Sequence, residues 1–375
     1  MRLGVSAWRL NGARFGVARY TEYLIANWSN QIGDNDSLTL FLYAPLENKI
    51  QAQGVAIEEK VIRAKLTNAL WENLLLPFQS SKVDVLFGPS YSLPLLYKGK
   101  RVVCIHSANE AEPGNHSFLY KLTYSLKYRL AAKVADHVIV NSQSTKDRVV
   151  AYYNIPPEKV SIVWLGVDNT FAPYKGDDKI ERNQKTRLQY LGKDVPYVIF
   201  VGTMSARRNV PLLMKAFAAV KKAHNLPHHL LLVGKNSENI PLDQLAEELG
   251  ITDSYAHVGG AFANHKDIVP IYDAAAVYIL PSESEGFSLT LAEAMACGVP
   301  VITSNKSSLG EVANGYALTL DKMTVESISD ALIQTLTSAE FRANLREKGL
   351  ERAKALRWEE CARKTLKILR EVADF

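Results

Sequence analysis

The chain has 375 residues, of which 47% are hydrophobic, and its net charge is only +5. This length predicts two domains, and so mild a charge gives no reason to expect a nucleic acid as partner. Three widely separated cysteines, Cys104, Cys297 and Cys361, exclude a disulfide framework and favour a reducing, cytoplasmic compartment. Because no apolar run approaches the ~20 residues of a membrane span, we expect at most peripheral contact with the inner face of a membrane.

Short apolar runs alternate with amphipathic segments, a pattern that predicts an α/β fold built on parallel sheets. The predicted strands are Leu3–Ala7, Leu38–Tyr43, Val83–Phe87, Val102–Ile105, Val138–Val140, Val160–Val163, Tyr197–Val201, His229–Val233, Ala256–Val258, Val277–Leu280 and Val301–Thr303. The predicted helices are Gly16–Ser29, Ser117–Ala135, Ser144–Tyr153, Val210–His224, Leu242–Glu248, His265–Ala274, Leu289–Ala296, Thr324–Leu336, Ala339–Ala353 and Trp358–Val372.

The apolar rhythm lapses between Asp168 and Val195, where Lys, Asp, Arg, Asn and Gln prevail. We therefore predict two doubly wound, Rossmann-like domains, an N-terminal one over 1–170 and a C-terminal one over 195–357, joined by a linker over 171–194. Such folds bind ligands at the carboxyl ends of their strands, so we expect the two domains to face a central ligand cleft.

The first strand is followed by a turn that contains Gly12 and Gly16. These glycines could let the backbone approach a phosphate, although the spacing is not that of a dinucleotide fingerprint and an ordinary flexible turn fits as well. The acidic sequence Asp34-Asn35-Asp36 precedes a predicted strand, the wrong end for a ligand, so we interpret it as a turn and predict no metal.

His106 directly follows the predicted strand Val102–Ile105, on the ligand side of the sheet. A ligand contact and a purely structural role are both consistent with that position. The other histidines, His265 among them, are interpreted as surface or helix residues, and His257 as structural. Residues 117–133 interleave tyrosines with basic residues, which fits either contact with an anionic membrane or an ordinary core-packed helix with a solvated basic face.

Two motifs of the second half carry the functional hypothesis. The predicted strand Tyr197–Val201 leads into Gly202 and then Arg207-Arg208, whose guanidinium groups can pair with a diphosphate. A solvated basic turn is the alternative, but positive charge is unfavourable at a helix N-terminus unless an anion is bound there. The second motif runs from Pro281 to Pro300.

This second motif joins strand, glycine loop, helix and strand, which presents free backbone N–H groups to a phosphate. Glu285 and Glu293 flank the helix start. Carboxylates would repel a phosphate, so we expect them to bind hydroxyl groups, although both could be ordinary surface residues. Glu293 lies among apolar residues and therefore needs a partner. Phosphate and hydroxyl recognition together suggest a sugar nucleotide as ligand.

These residues together resemble the retaining family-4 glycosyltransferases of the GT-B fold, over nearly the whole chain. The resemblance is carried by Glu285-x7-Glu293, by Gly202-Thr-x-x-x-Arg-Arg-Asn209 and by Val233-Gly-Lys235. Gly166-Val-Asp168 resembles the signature before the interdomain linker. Trp358 and the final helix, residues 358–375, resemble the family's closing segment, which packs back on the first domain. The early Gly-Val-Ala-Arg-Tyr20 resembles bacterial mannosyltransferase-like members that build surface polysaccharides.

The resemblance implies a role for each matching residue. Arg207 and Arg208 would bind the donor diphosphate, Glu293 the ribose and Glu285 the hydroxyl groups of the transferred sugar, with His106 beside that sugar. Glu285, His106 and Arg207 are the expected catalytic residues. The expected donor-binding residues are Gly16, Thr203, Arg207, Arg208, Lys235, Gly260, Ala261, Phe262, Glu285, Gly286, Phe287, Ser288, Leu289 and Glu293.

The implied reaction is transfer of a hexose, with retention, from a nucleotide diphosphate sugar to a saccharide or lipid-linked saccharide, without metal or cofactor. GDP-mannose is the favoured donor, and a UDP-linked glucose or N-acetylglucosamine is the alternative. Arg208 stands where the family usually has Lys, and Ser107 where close relatives often have Asp. Three competing hypotheses are less consistent with the sequence. The two-glutamate spacing fits a nucleotide-sugar 2-epimerase of the same fold less well, and the intact donor motif argues against a non-catalytic scaffold. A nicotinamide dehydrogenase is disfavoured because the turn after the first strand lacks the glycine pattern and a ribose-binding acid about 20 residues on.

Overall fold

The computed structural model describes residues 1–12, 16–28, 31–33, 36–50, 57–109, 125–260, 262 and 264–374. The chain forms two compact units. One comprises Met1–Gly166 with Arg357–Phe375, and the other Val167–Leu356.

The first unit is built on a parallel sheet of seven strands in the order β3-β2-β1-β4-β5-β6-β7. Its strands are β1 Arg2–Ser6, β2 Ser37–Leu42, β3 Ile57–Val61, β4 Val85–Gly88, β5 Lys100–Ile105, β6 His137–Val140 and β7 Val160–Ile162. Its helical segments are Trp8–Asn11, Val17–Trp28, Asn68–Leu70, Trp71–Leu75 (a π turn), Leu76–Gln79, Leu126–Val134, Gln143–Tyr153, Pro157–Lys159 and Trp358–Asp374.

The last helix of the chain packs on the first unit. Trp358 stacks on Tyr23 with 4.9 Å between ring centroids, and the buried Trp28 donates its indole N–H to the carbonyl oxygen of Ala362 at 3.0 Å. Gly166 has no room for a side chain, because a Cβ there would lie 2.1 Å from the backbone nitrogen of Trp358. Buried aromatic side chains therefore hold this helix to the first unit. The rest of that unit ends about two hundred residues earlier in the chain.

The second unit is built on a parallel sheet of six strands in the order β10-β9-β8-β11-β12-β13. Its strands are β8 Tyr197–Val201, β9 His229–Val233, β10 Tyr255–Val258, β11 Val277–Leu280, β12 Val301–Ser304 and β13 Leu318–Leu320. Its helical segments are Lys179–Leu191, Ala206–Arg208, Val210–His224, Leu242–Glu248, Thr252–Ser254, His265–Ile268, Val269–Asp273, Leu289–Ala296, Ser307–Ala313, Val325–Thr337 and Ala339–Lys354.

These two parallel sheets with their helices confirm the predicted fold class. The strand order reverses between β1 and β4 in the first unit and between β8 and β11 in the second. At such a reversal the loops leave in opposite directions, which opens a crevice at the carboxyl ends of the two strands. The fold therefore provides one candidate ligand position in each unit.

Several elements differ from the sequence prediction. The sequence does not predict strand β3, because its three central residues in Ile-Glu-Glu-Lys-Val are charged, as in an exposed segment. It does not predict β13 either, because that strand has only three residues. The helices Asn68–Gln79 and Ser307–Ala313 were also missed. Of the predicted helix 117–135, residues 117–124 lie outside the described part of the chain, and the remainder is helical over Leu126–Val134.

The predicted domain boundaries remain a prediction, but the polar stretch 171–194 contains a helix, Lys179–Leu191. Thr186 is its only buried residue, and its other positions are mainly Lys, Arg, Gln and Glu, which favour helix without producing an apolar rhythm. Lys179 pairs with the buried carboxylate of Asp273 at 2.9 Å, which attaches the helix to the second unit.

Candidate active site

The strand reversal of the second unit brings the two sequence motifs together. Strand β8 ends at Val201 and leads through Gly202 to the Arg207-Arg208 turn, and its neighbour β11 ends at Leu280 and leads to Glu285. Adjacent parallel strands deliver their loops to the same edge of the sheet, so residues 77 positions apart in the chain become neighbours.

Both arginines contact the carboxylate of Glu285. The Arg207 Nη1 lies 2.6 Å from Glu285 Oε1, and the Arg208 Nε and Nη2 lie 2.8 and 3.3 Å from Oε1 and Oε2. Arg208 thus holds the carboxylate with a two-pronged fork, while Arg207 remains about a third exposed. Two guanidinium groups share one carboxylate, which leaves this cluster with one excess positive charge.

Glu285 is ionised at any physiological pH. Its side chain is buried, which favours the neutral carboxylic acid, but the attraction of Arg208 and Arg207 outweighs that effect and lowers the pKa to about 2. Ser282 supplies a further hydrogen bond, from its hydroxyl group to Glu285 Oε1 at 3.1 Å. The carboxylate is therefore a fixed anion and is unsuited to donate or accept a proton in a reaction at neutral pH.

The backbone on both sides of Glu285 is also fixed. The Glu285 backbone N–H donates to the Ser307 hydroxyl at 2.9 Å, and the Ser308 hydroxyl donates to the Glu285 carbonyl at 2.8 Å. On the other side, Asn209 adopts a left-handed conformation and donates its amide to Pro281 O at 3.0 Å, which ties the arginine turn to the glutamate loop. The charged groups are thus held by rigid backbone, as a binding site requires.

Glycine is needed at the ends of β8 and β9. Gly202 has φ +146°, and a Cβ there would lie 2.2 Å from the Arg208 Nη1. A Cβ on Gly234 would meet the carbonyl oxygen of Gly202 at 2.1 Å. The glycines of this motif therefore make room for Arg208 and for each other, in addition to any ligand contact.

Four further predicted donor residues lie on the same edge of the sheet. Thr203 accepts a hydrogen bond from Arg208 through its carbonyl oxygen at 3.0 Å. Lys235 follows β9 and is exposed, and Gly260 and Phe262 follow β10. Ala261 lies outside the described residues.

The helix Leu289–Ala296 begins just beyond Glu285, at the same edge. Its first residue is preceded by Ser288 in a left-handed conformation, with φ +69°, and no side chain caps its N-terminal N–H groups. Gly286, Phe287 and Ser288 form the approach to this helix, and Phe287 is buried. Free N–H groups and the helix dipole make such a terminus attractive to an anion.

Glu293 has the partner that its apolar surroundings demand. Its Oε1 lies 2.8 Å from the His265 Nε2, and Tyr272 donates its hydroxyl to Oε2 at 3.4 Å. The interpretation of His265 from sequence, as an ordinary surface or helix residue, misses its contact with the carboxylate. The sequence does indicate this position, because His265 follows β10 and so lies at the ligand edge of the sheet. The same argument predicted that His106 lies at the ligand edge of the first sheet.

His106 lies at the corresponding edge of the first unit. Its Nε2 donates to the Pro89 carbonyl at 2.8 Å, and its ring makes edge contacts with Tyr20 and Tyr91 at 4.6 and 5.2 Å between centroids. Burial lowers its pKa to about 4, so the ring is neutral at pH 7. Gly16 immediately precedes the helix Val17–Trp28, with φ +48° and open space where a Cβ would lie.

Within the described part of the chain, no cluster of three or more His, Cys, Asp or Glu side chains is arranged to hold a metal ion. None of the helices described is long and apolar enough to cross a membrane.

Two family models match the chain. The model for glycosyltransferase family 4 matches residues 16–171, and the model for glycosyl transferases group 1 matches residues 182–352. The chain belongs to the family-4 glycosyltransferases of the GT-B fold, within a group similar to bacterial mannosyltransferases.

Among curated proteins, the O-antigen chain mannosyltransferase B of Escherichia coli is 29% identical over 230 residues, which is 61% of this chain and 59% of that protein. The D-inositol 3-phosphate glycosyltransferase of Thermobifida fusca is 29% identical over 237 residues, 60% of this chain and 53% of that protein. The chain thus spans little more than half the length of these relatives.

Among solved structures, Anabaena HepE in complex with UDP and glucose matches 99% of this chain and 100% of its own, with a TM-score of 0.78 at 15% identity. The lipopolysaccharide glycosyltransferase WaaG matches 98% of this chain and 99% of its own, with a TM-score of 0.74 at 18% identity. At these identities the likeness shows the shared fold.

Proposed function

We propose that the chain transfers a hexose from a nucleotide diphosphate sugar to a hydroxyl group of a saccharide or lipid-linked saccharide, with retention of configuration and without a metal. The observation that carries this proposal is the Arg207–Glu285–Arg208 cluster beside the start of the helix Leu289–Ala296. It joins one excess positive charge and free backbone N–H groups, suited to a diphosphate, with a fixed carboxylate suited to hydroxyl groups.

In this proposal the bond between the sugar's anomeric carbon and the diphosphate oxygen breaks as the acceptor oxygen attacks from the same face. The leaving diphosphate takes the acceptor's proton, and Arg207 and Arg208 stabilise the charge that develops on it. Glu285 orients the sugar through its hydroxyl groups, and Glu293, held by His265, binds the ribose. Most of the rate enhancement then comes from positioning and charge stabilisation.

Proton transfer by a histidine is not part of this mechanism. A carbonyl oxygen can only accept, so the Nε2 of His106 carries the proton that it donates to Pro89. With its pKa at about 4, the ring leaves Nδ1 unprotonated, and this atom lies 4.0 Å from the Cys104 sulfur. Direct contact of His106 with the sugar, and of Gly16 with the phosphates, remain predictions.

GDP-mannose is the proposed donor, since the curated relatives include an O-antigen chain mannosyltransferase and a serotype-specific mannosyltransferase of Escherichia coli. We propose a cytoplasmic role in the synthesis of a surface polysaccharide or of a glycolipid. The alternatives are a UDP-sugar transferase and a nucleotide-sugar 2-epimerase, which would act on the same donor without any acceptor.

The test is a thermal-shift screen of the intact protein with GDP-mannose, UDP-glucose and UDP-N-acetylglucosamine, each with and without a chelator. We expect stabilisation by GDP-mannose that the chelator does not change. Loss of the thermal shift in the presence of the chelator would contradict the metal-free mechanism. A thermal shift with the UDP-sugars and none with GDP-mannose would show that the donor is a UDP-sugar. Formation of the 2-epimer from donor alone would favour the epimerase.

A further inference from the structure

The helical segment Asn68–Gln79 of the first unit is apolar on both of its sides. Its inner side is buried, since Trp71 and Leu76 pack in a core cluster with Phe41, Leu86 and Tyr97. Its outer side presents Leu70, Leu74 and Phe78, and Phe78 is 80% exposed. A surface helix normally turns a polar side to water, so the outer side requires an explanation.

The outer residues are spaced four apart along a segment that contains a π turn, Trp71–Leu75. Residues four apart in an α-helix drift by about 40° per step, so even a regular helix would place Leu70, Leu74 and Phe78 within about 80° of one another. A π turn holds more residues than an α turn and offsets part of that drift. The three side chains therefore form one stripe along the outside of the helix.

A neighbouring loop extends the stripe. Leu95 donates its backbone N–H to the side-chain oxygen of Asn73 at 2.9 Å, which fixes the loop beside the helix, and both Leu95 and Leu96 are exposed. Leu66 is exposed just before the helix. We call these six residues, Leu66, Leu70, Leu74, Phe78, Leu95 and Leu96, the apolar surface.

Basic residues outnumber acidic ones in the segment that carries the apolar surface. Between Lys60 and Arg101 the chain has seven Lys and Arg residues and only two acids. One acid, Glu72, is buried and faces Lys127 at 3.7 Å, and the other, Asp84, pairs with Arg2. The exposed basic residues Arg63, Lys65, Lys82 and Lys98 are therefore not balanced by exposed acids within this segment.

We propose that the apolar surface docks the first unit on an anionic phospholipid membrane. Exposed leucine and phenylalanine side chains enter the boundary between headgroups and acyl chains, while the flanking lysine and arginine side chains pair with lipid phosphates. An aqueous protein partner would fit the leucines equally well, but the four exposed basic residues that flank them in the chain favour an anionic lipid surface. The residues of the apolar surface precede the predicted 117–133 helix in the chain. The described part of that helix also has exposed leucines, Leu126 and Leu130.

Flotation of the full chain with vesicles tests the proposal. We expect binding to vesicles of phosphatidylcholine with phosphatidylglycerol, weaker binding at high salt, and little binding to phosphatidylcholine alone. The double variant Leu74→Ser/Phe78→Ser lowers the association constant about tenfold or more, because each side chain loses its burial in lipid. Arg63→Ser/Lys65→Ser lowers it about tenfold on the anionic vesicles only.

The matched control is Ile180→Ser/Leu188→Ser, which removes two exposed apolar side chains of the second unit. It should float like the unmodified protein. Equal loss in both apolar variants, or no flotation of the unmodified protein, overturns the proposal. Conversion of a dimer to a monomer by Leu74→Ser/Phe78→Ser, with flotation unchanged, assigns the surface to a second copy instead. Flotation needs no sugar nucleotide, so this result is independent of the proposed transfer activity.

Discussion

The two units share a topology, but the ligand edges of their sheets differ in charge. The second unit gathers two arginines, two glutamates and His265 at its strand reversal, and Glu285 is held as an anion with a pKa of about 2. The first unit places His106 among the rings of Tyr20 and Tyr91, with a pKa of about 4 that keeps it neutral. One scaffold thus supports an edge that holds paired ionised side chains and another whose histidine is kept neutral by burial.

The largest effect should come from removing the fixed anion of the charged edge. Glu285→Gln should lower kcat about a hundredfold or more, because the site loses a preorganised charge at the reacting sugar. It should also destabilise the second unit by about 3 kcal/mol, since Arg208 is left without its buried partner. Glu347→Gln, on an exposed position of the helix Ala339–Lys354, is the control and should change neither value. Full turnover in Glu285→Gln would sink the site assignment.

Variants of Arg207 distinguish the contribution of its charge to donor binding from that of its forked hydrogen-bond geometry. Arg207→Ala should reduce kcat/KM for the donor about a hundredfold, and Arg207→Lys should recover part of that loss, because it keeps the charge but not the forked donors. Steady-state kinetics with varied donor, and thermal melts as a folding check, make the measurement. If alanine and lysine variants lose activity equally, the forked geometry matters and the charge alone does not. If neither loses activity, the diphosphate binds elsewhere.

His265 tests whether Glu293 acts in binding alone. His265→Ala should raise the donor KM about tenfold with kcat nearly unchanged, because the ribose contact is the same in the ground state and the transition state. His224→Ala, an exposed histidine at the end of the helix Val210–His224, is the matched control. A fall in kcat with unchanged KM would instead place His265 and Glu293 at the reacting centre.

The neutral state of His106 should show itself in the pH dependence of stability. The pKa of His106 is about 4 when folded and about 6.5 when unfolded, so as the pH falls through this window the unfolded chain binds the proton first. The free energy of unfolding should therefore drop by roughly 3 kcal/mol between pH 6.5 and 4 on account of this residue. His106→Gln should remove that share of the slope.

Tryptophan fluorescence can isolate this effect. All five tryptophans, Trp8, Trp28, Trp71, Trp164 and Trp358, belong to the first unit. Urea unfolding followed by their emission at several pH values therefore reports on the unit that contains His106. The second unit contains His228, whose pKa is also lowered to about 4 by burial, but its unfolding does not contribute to this signal directly. Identical slopes with and without His106 would contradict the burial argument.

Periodicity predicted the buried elements closely and the polar ones poorly. The helices Val210–His224 and Leu289–Ala296 have the predicted bounds, because apolar spacing and terminating residues agree there. Strand β3 and the helix Lys179–Leu191 were missed, since each is held by neighbours more than by an apolar face of its own.

For the candidate site, sequence could place Arg207 and Glu285 on adjacent strand ends, because the edge of a parallel sheet is readable from strand order. It could not show that the arginines pair with Glu285, which depends on side-chain geometry across 77 residues. The contact of His265 with Glu293 was missed because it lies one loop beyond the strand end that positions it. The roles of these residues in donor binding remain predictions.

The two ends of the second unit meet, since the Val167 backbone N–H donates to the Leu356 carbonyl oxygen at 2.9 Å. This unit is therefore one uninterrupted stretch of chain inserted into the first, whose last helix follows it. During synthesis the second unit emerges whole while the first still lacks Trp358 and the helix behind it. Since domains fold as units while the chain is made, we expect the second unit to complete its folding first, although it begins later.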